Sequence, residues 1–178
     1  AIITLALGIG ASTAIFSAVN PVLFRSLPYP APGRLAIVSD RSNDGSRVDV
    51  AFGNYRELSA RLRSFESSAA FKAWQPTFAG KLEPERLIGG RVGAGFFRTI
   101  GVAPVIGRDF QTSDDRPNAP NVVILSDALW RRRFGADPTI VGQHVKLDDQ
   151  DHMVIGVMPA SFENVVAPLA QIWAPLQY

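Results

Sequence analysis

The chain has 178 residues, 47% hydrophobic and 19% charged, with 18 Lys and Arg against 16 Asp and Glu. That length fits one ordinary domain with an appendage, and the near balance of charge gives no electrostatic footprint for nucleic acid. With no cysteine there is no disulfide, thiolate nucleophile or thiolate-bound metal, so the fold must be held by burial.

Charge is absent from the opening of the chain. Residues Ala1 to Phe24 contain no Asp, Glu, Lys, Arg or His, and the first charge is Arg25. As a helix this stretch would run about 36 Å, against a hydrocarbon core of about 30 Å, and a transmembrane helix over 1–24 is expected. Gly8, Gly10, Ser12 and Ser17 would weaken a water-exposed helix but suit close approach of neighbouring helices. Ala6, Gly10, Ala14 and Ala18 recur every fourth residue and form a small-residue stripe, a candidate helix-packing face. Two other readings stay open: a buried core helix, and a signal peptide with Ser12, Thr13 and Ala14 at its cleavage site. A start without Met inside an apolar run, and a stop at Tyr178 after a strand-like segment, suggest a fragment.

Pro21, Pro28, Pro30 and Pro32 then end helical structure, making residues 25–34 a stiff exit segment. Leu35 to Ser39 (LAIVS) reads as a short strand. Phe52, Tyr55, Leu58, Leu62 and Phe65 recur at three- and four-residue steps with Arg56, Glu57, Arg61 and Arg63 between them, which predicts an amphipathic helix. Ala69 to Phe78 alternates and predicts β-structure, with Pro76 confining it to an edge or an end. The opening order is thus strand, helix, strand. Gly80 to Pro84 reads as a turn and Arg86 to Val92 as one further strand. Gly95 to Ile100 allows one or two helical turns, pinned to the core by Phe96, Phe97 and Ile100.

Val122 to Leu125 is a continuous apolar strand. Ser126 follows as a helix cap, Asp127 sits well against the helix dipole, and Gly135 marks the stop. Gln143 to Leu147 and His152 to Val157 flank Asp148 and Asp149 as a hairpin, although Asp-Asp is a weaker turn pair than Asp-Gly. Pro159 closes it.

The residue types that carry chemistry do not combine. No phosphate-binding loop is present: Gly8 and Gly10 lie in the apolar segment, while Gly89, Gly90, Gly93 and Gly95 lack a following Lys and read as packing and turn glycines. The hairpin register sets His144 opposite Met153 and His152 opposite Val145, on opposite faces of the sheet, so the two rings do not converge on a metal. Asp109, Asp114 and Asp115 could suggest acid–base or calcium chemistry, but Asp114 and Asp115 read as a solvated loop or the start of a helical turn. Arg131, Arg132 and Arg133 read as a solvated helix face, or as a contact for lipid headgroups or a partner. Ser126 has no histidine base in its motif, so capping outweighs a nucleophile's role. No catalytic, cofactor-binding or metal residue is assigned.

Three segments together carry a family resemblance: LALGIGASTAIFSAVNPVLFRSLPYP (Leu5 to Pro30), FFRTIGVAPVIGRDF (Phe96 to Phe110) and VVILSDALWRRRFGADPTIVGQHVKLDDQDHMVIGVMP (Val122 to Pro159). In this order they resemble the MacB-like periplasmic core domain of bacterial ABC-type permeases with an FtsX-like membrane unit. The resemblance implies an α+β fold, with the helix over 1–24 leading into an extracytoplasmic domain over 35–178. That domain would comprise a porter-like part and a smaller inserted lobe, incomplete at the C-terminus. It further implies a non-catalytic permease subunit of an exporter in the bacterial inner membrane, in contact with lipid. It would work with a separate ABC ATPase subunit and as a homodimer or with other permease helices, its outer domain handling substrate or transmitting mechanical signals. The alternative is a secreted or membrane-anchored extracytoplasmic binding module; an extracytoplasmic hydrolase has no nucleophile and base to pair.

Overall fold

A computed structural model describes residues 9–10, 13, 16–17, 29–48, 50–61, 63–80, 83–162 and 164–178. The expected membrane helix over 1–24 falls mostly outside them. Ile9, Gly10, Thr13, Phe16 and Ser17 are helical and exposed, with the Thr13 hydroxyl donating to Ile9 O at 2.8 Å. Among the described residues no helix is long and apolar enough to cross a membrane. The exit segment is described from Tyr29 and contains a single 3₁₀ turn, Pro32–Arg34.

The fold is mixed α+β, built on a sheet that curls until its two ends meet. Strands β1 (Asp40–Arg41) and β2 (Arg47–Val48) form a separate small hairpin, followed by helix α1 (Phe52–Arg61). The main sheet contains β3 (Phe71–Trp74), β4 (Thr77–Ala79), β5 (Glu85–Arg86), β6 (Gly89–Val92), β7 (Ile106–Gly107) and β8 (Val122–Leu125). It is completed by β9 (His144–Leu147), β10 (Gln150–Val157) and β11 (Ile172–Pro175). Its order is β3-β6-β11-β8-β10-β9-β4-β5, with β7 attached to β10. Helices α2 (Phe96–Ile100) and α3 (Asp127–Phe134) pack on this sheet.

The curl follows from a bent hairpin. β3 and β4 are one strand interrupted at Gln75 and Pro76, and β5 and β6 are its return strand interrupted at Leu87 and Ile88. Pairing passes the bend from Trp74↔Gly89 to Thr77↔Arg86, with the Leu87 N–H donating to Pro76 O at 2.9 Å. Beyond the bend the two halves join different neighbours, β6 running parallel to β11 while β4 runs antiparallel to β9. A circuit of pairing therefore runs through one hairpin, and closure of this kind leaves only short strand edges exposed.

Both faces of the sheet are covered, which explains why Val122 to Leu125 is apolar without alternation. Val122 and Ile124 meet an outer layer with Phe96, Phe97, Ile100, Phe110, Ile155 and Trp173, while Val123 and Leu125 meet an inner layer with Leu129, Trp130, Val145, Leu147, Val154 and Ile172. Phe97 is fully buried, its ring 5.7 Å edge-on from Trp173 and 6.0 Å from Phe110. The expectation that Phe96, Phe97 and Ile100 pin the short helix holds. Where β7 crosses β10 two glycines meet: Gly107 has φ +79°, and a Cβ there would lie 2.1 Å from Ile155 O, so no side chain fits.

Helix α3 forms as its ends dictate. The Ser126 Oγ accepts the Leu129 N–H at 3.1 Å, Asp127 occupies the first turn, and Gly135 adopts φ +61° to release the chain. The β9–β10 hairpin has the expected register, Val145↔His152 and His144↔Met153. Asp148 (φ 48°) and Asp149 (φ 62°) both take left-handed geometry, the mirror-image turn that Asp-Gly usually supplies. The Asp-Asp pair is held there from outside: Asp148 Oδ1 accepts the Thr77 N–H at 2.8 Å and the Asp148 N–H donates to Thr77 O at 3.0 Å.

Three expectations need correction. Leu35 to Ser39 forms no strand, and its Ile37 and Val38 are mostly exposed. β-branched residues favour extended geometry, but a strand also needs an aligned partner for its N–H and C=O groups, and the described residues offer none. The opening order is accordingly hairpin, helix, strand. Arg86 to Val92 is two strands, because the return strand must bend opposite Pro76. The amphipathic helix forms but ends at Arg61, with Tyr55 and Leu58 half-buried and Phe65 exposed beyond it. No described residue from 36 to 68 joins either core layer.

Candidate functional site

Of the proposed helix-packing residues, Ala6, Ala14 and Ala18 lie outside the described residues. Gly10 is described, and a Cβ built on it meets nothing within 4 Å.

The aspartates of the 109–115 loop are structural. Asp114 is 8% exposed, not solvated as expected, and takes both prongs of the Arg108 guanidinium at 2.6 and 3.0 Å together with the Gln111 N–H at 2.7 Å. Burial works to raise its pKa, yet Arg108 and the Gln111 N–H outweigh it and hold the carboxyl below its ordinary value. Burial leaves Asp109 above its ordinary value, although its Oδ1 accepts the Phe110 N–H. Asp115 ties two distant segments, accepting the Ala94 N–H at 3.0 Å and the Gln177 N–H at 2.8 Å. Gln177 returns the link by donating from Nε2 to Ala119 O at 3.1 Å. These carboxylates are engaged with backbone and guanidinium groups rather than facing one another across a cleft.

The arginine run is also not a free cationic face. Arg131 pairs with Asp127 at 2.8 Å one turn back, and Arg132 and Arg133 both pair with Glu85. The Arg133 side chain is only 11% exposed and its guanidinium sits 5.4 Å from the Phe78 ring centre. The Arg132 hydrogen bond, followed by that of Arg133, holds Glu85 below its usual carboxylate range. The sequence carried no local sign of this clamp, since Glu85 lies almost fifty residues away.

At one end of the inner layer the apolar run gives way to a cluster that the sequence named only in part. His144 is exposed and His152 is 2% exposed, the separation that their register predicted. The His152 Nδ1 lies 3.0 Å from Gln150 O, so it carries the proton and donates. Its ring lies 6.0 Å from that of Trp74, and the Arg91 guanidinium stands 4.8 Å over the same indole. Burial pushes the His152 pKa down and Arg91 adds to the effect. Trp74 reaches His152 only because the sheet closes; β3 and β10 are otherwise four places apart in strand order. Among the described residues no three His, Asp or Glu side chains gather as metal ligands.

The sequence model of the MacB-like periplasmic core domain matches residues 1–178. The chain belongs to that family. No curated protein matches the sequence. Solved structures share the fold of this MacB-like domain at low identity. The extracellular domain of the noncanonic ABC-type transporter YknZ from Gram-positive bacteria superposes with a TM-score of 0.58 at 16% identity, over 77% of this chain and 70% of that one. The periplasmic region of MacB from Actinobacillus actinomycetemcomitans gives 0.52 at 18% identity, over 72% and 62%. A domain of a putative permease protein from Porphyromonas gingivalis gives 0.50 at 13% identity, over 68% and 50%. Within the MacB-like domain, Asp114, Asp115 and Glu85 hold strands and loops together.

Proposed function

We propose that this chain is the extracytoplasmic part of a permease subunit of a bacterial ABC-type exporter, itself non-catalytic, and that it couples motion driven by a separate ATPase to substrate handling or mechanical signalling outside the membrane. In this reading residues 1–24 anchor it in the inner membrane. The stripe of Ala6, Gly10, Ala14 and Ala18 would pack against other helices of a homodimer or permease assembly. The observation that carries the reading is the family match over the full 178 residues. Two features are consistent with it: a closed, doubly covered sheet suits a body that moves as a unit, and the titratable groups considered above are largely committed to ion pairs and hydrogen bonds. A transmitting subunit needs such a rigid body in at least two arrangements.

The absence of cysteine offers a clean test. A single cysteine in place of Asp44, in the exposed turn between β1 and β2, should react with a membrane-impermeant maleimide in intact cells after outer-membrane permeabilisation. Reaction only after the inner membrane is broken would place the domain in the cytosol and end the proposal. A mature product beginning near Val19 would convert the anchor into a cleaved signal. Hydrolysis of ATP by the purified protein without an ATPase subunit would contradict the non-catalytic role.

A further inference from the structure

Near the β4–β9 pairing that closes the sheet lies a buried histidine. β3 is held to β6 by its ladder, but its approach to the far side of the curl includes Trp74 seated against His152 of β10. Arg91 of β6 occupies the Trp74 ring as well, so a second cation there would be brought close to the first. The charged groups near His152 are Arg91 from β6, Asp148 from the β9–β10 turn and Asp151 from β10 itself. β3 brings Trp74 and β9 brings Val145 opposite, neither of which titrates at neutral or mildly acid pH. Burial is the largest influence and opposes the imidazolium, as does Arg91; the hydrogen bond to the Gln150 carbonyl and the two aspartates favour it, and burial prevails.

We propose that His152 is an acid-operated latch on the β3 half of the bent hairpin: on taking up a second ring proton it leaves its seat beside Trp74, and that half loosens from the body of the domain. The sign follows from linkage. A histidine held neutral in the closed form binds more protons when exposed, so closure is fully favoured above the ordinary histidine value of 6.5 and weakens as pH falls below it. The opening constant gains up to about tenfold between pH 7.5 and 5.5, the limit for one ring that titrates at 6.5 once open. Its use in the cell rests on the extracytoplasmic placement proposed above, where the domain meets ambient acidity, but the device itself is a property of the fold.

The test uses the intact chain in detergent, with amide hydrogen exchange at pH 7.5 and 5.5 corrected for intrinsic rates. Exchange at Phe71–Trp74 should accelerate up to about tenfold on acidification, while Val122–Leu125 in the middle of the sheet stays protected. His144→Gln should keep this response and His152→Gln should abolish it. A wild-type measurement guards against a His152 variant that does not fold: the ring resonances of His152 should titrate below the ordinary histidine value of 6.5. Uniform exchange across the sheet, a response surviving in His152→Gln, or a His152 ring titrating at or above 6.5 would each overturn the latch.

Discussion

A methyl group at Gly89 should test the closed sheet directly. Gly89 lies where β6 pairs in parallel with β11 and antiparallel with β3, opposite Ile172 and Trp74. A Cβ there would stand 2.6 Å from Ile172 O and 2.7 Å from Ile172 Cγ2, and the backbone φ is not in the left-handed region. Conformation therefore permits Ala, and only the approach of the neighbouring strand forbids it. The side-chain methyl of Ile172 can rotate away, but its carbonyl belongs to the strand and can retreat only if β11 moves. Overpacking of this kind costs about 1–3 kcal/mol, which for a domain of this size lowers Tm by about 2–12 °C. The assay is urea unfolding of Gly89→Ala followed by tryptophan fluorescence, reading the midpoint and slope. Gly53→Ala provides the contrast, because the same methyl in exposed α1 meets nothing within 4 Å and should raise helix stability by roughly 0.5–1 kcal/mol. If Gly89→Ala unfolds within about 0.5 kcal/mol of the parent, the tight β6–β11 approach is wrong.

Other substitutions address the remaining joints. Ser126→Ala removes the acceptor for the Leu129 N–H and should cost about 1 kcal/mol in chemical denaturation, with Ser126→Asp recovering most of it. Asp114→Ala strands the Arg108 and Gln111 donors and should cost about 1–3 kcal/mol, towards the lower end because Arg108 is partly exposed. The Asp114 carboxyl is held below its ordinary 3.8, so its contribution is present above that pH and lost as pH falls through the folded value. Acid unfolding of Asp114→Ala should thus be flatter below pH 4 than that of the parent. Glu85→Ala leaves nearly buried Arg133 unpaired while Glu85→Gln keeps a neutral acceptor, so melting curves should rank parent, Gln, Ala in falling Tm. Identical Tm values for all three would show that the clamp contributes nothing.

Elements set by local chemistry were legible from residues alone. The Ser126 cap, the Gly135 stop, the three apolar anchors of α2 and the hairpin register that separates the two histidines each depend on neighbours within a few positions. A segment's state is not legible locally where it depends on what lies across from it. Leu35 to Ser39 has the composition of a strand and no described partner; Arg86 to Val92 reads as one run until Pro76, on the opposite strand, forces a bend. Arg132 and Arg133 read as a solvated face because their partner Glu85 lies in another element, and Asp114 read as solvated although Arg108 and Gln111, which engage it, lie within six residues.

Family membership and the kinds of element present thus reside in the order of the amino acids, because caps, turns and apolar spacing act over short separations. Closure of the sheet is different in kind. It brings Trp74 to His152 and α3's arginines to Glu85, contacts across 78 and about 47 positions that no local pattern encodes. Only the three-dimensional circuit of strand pairing determines which polar groups are buried and which are paired.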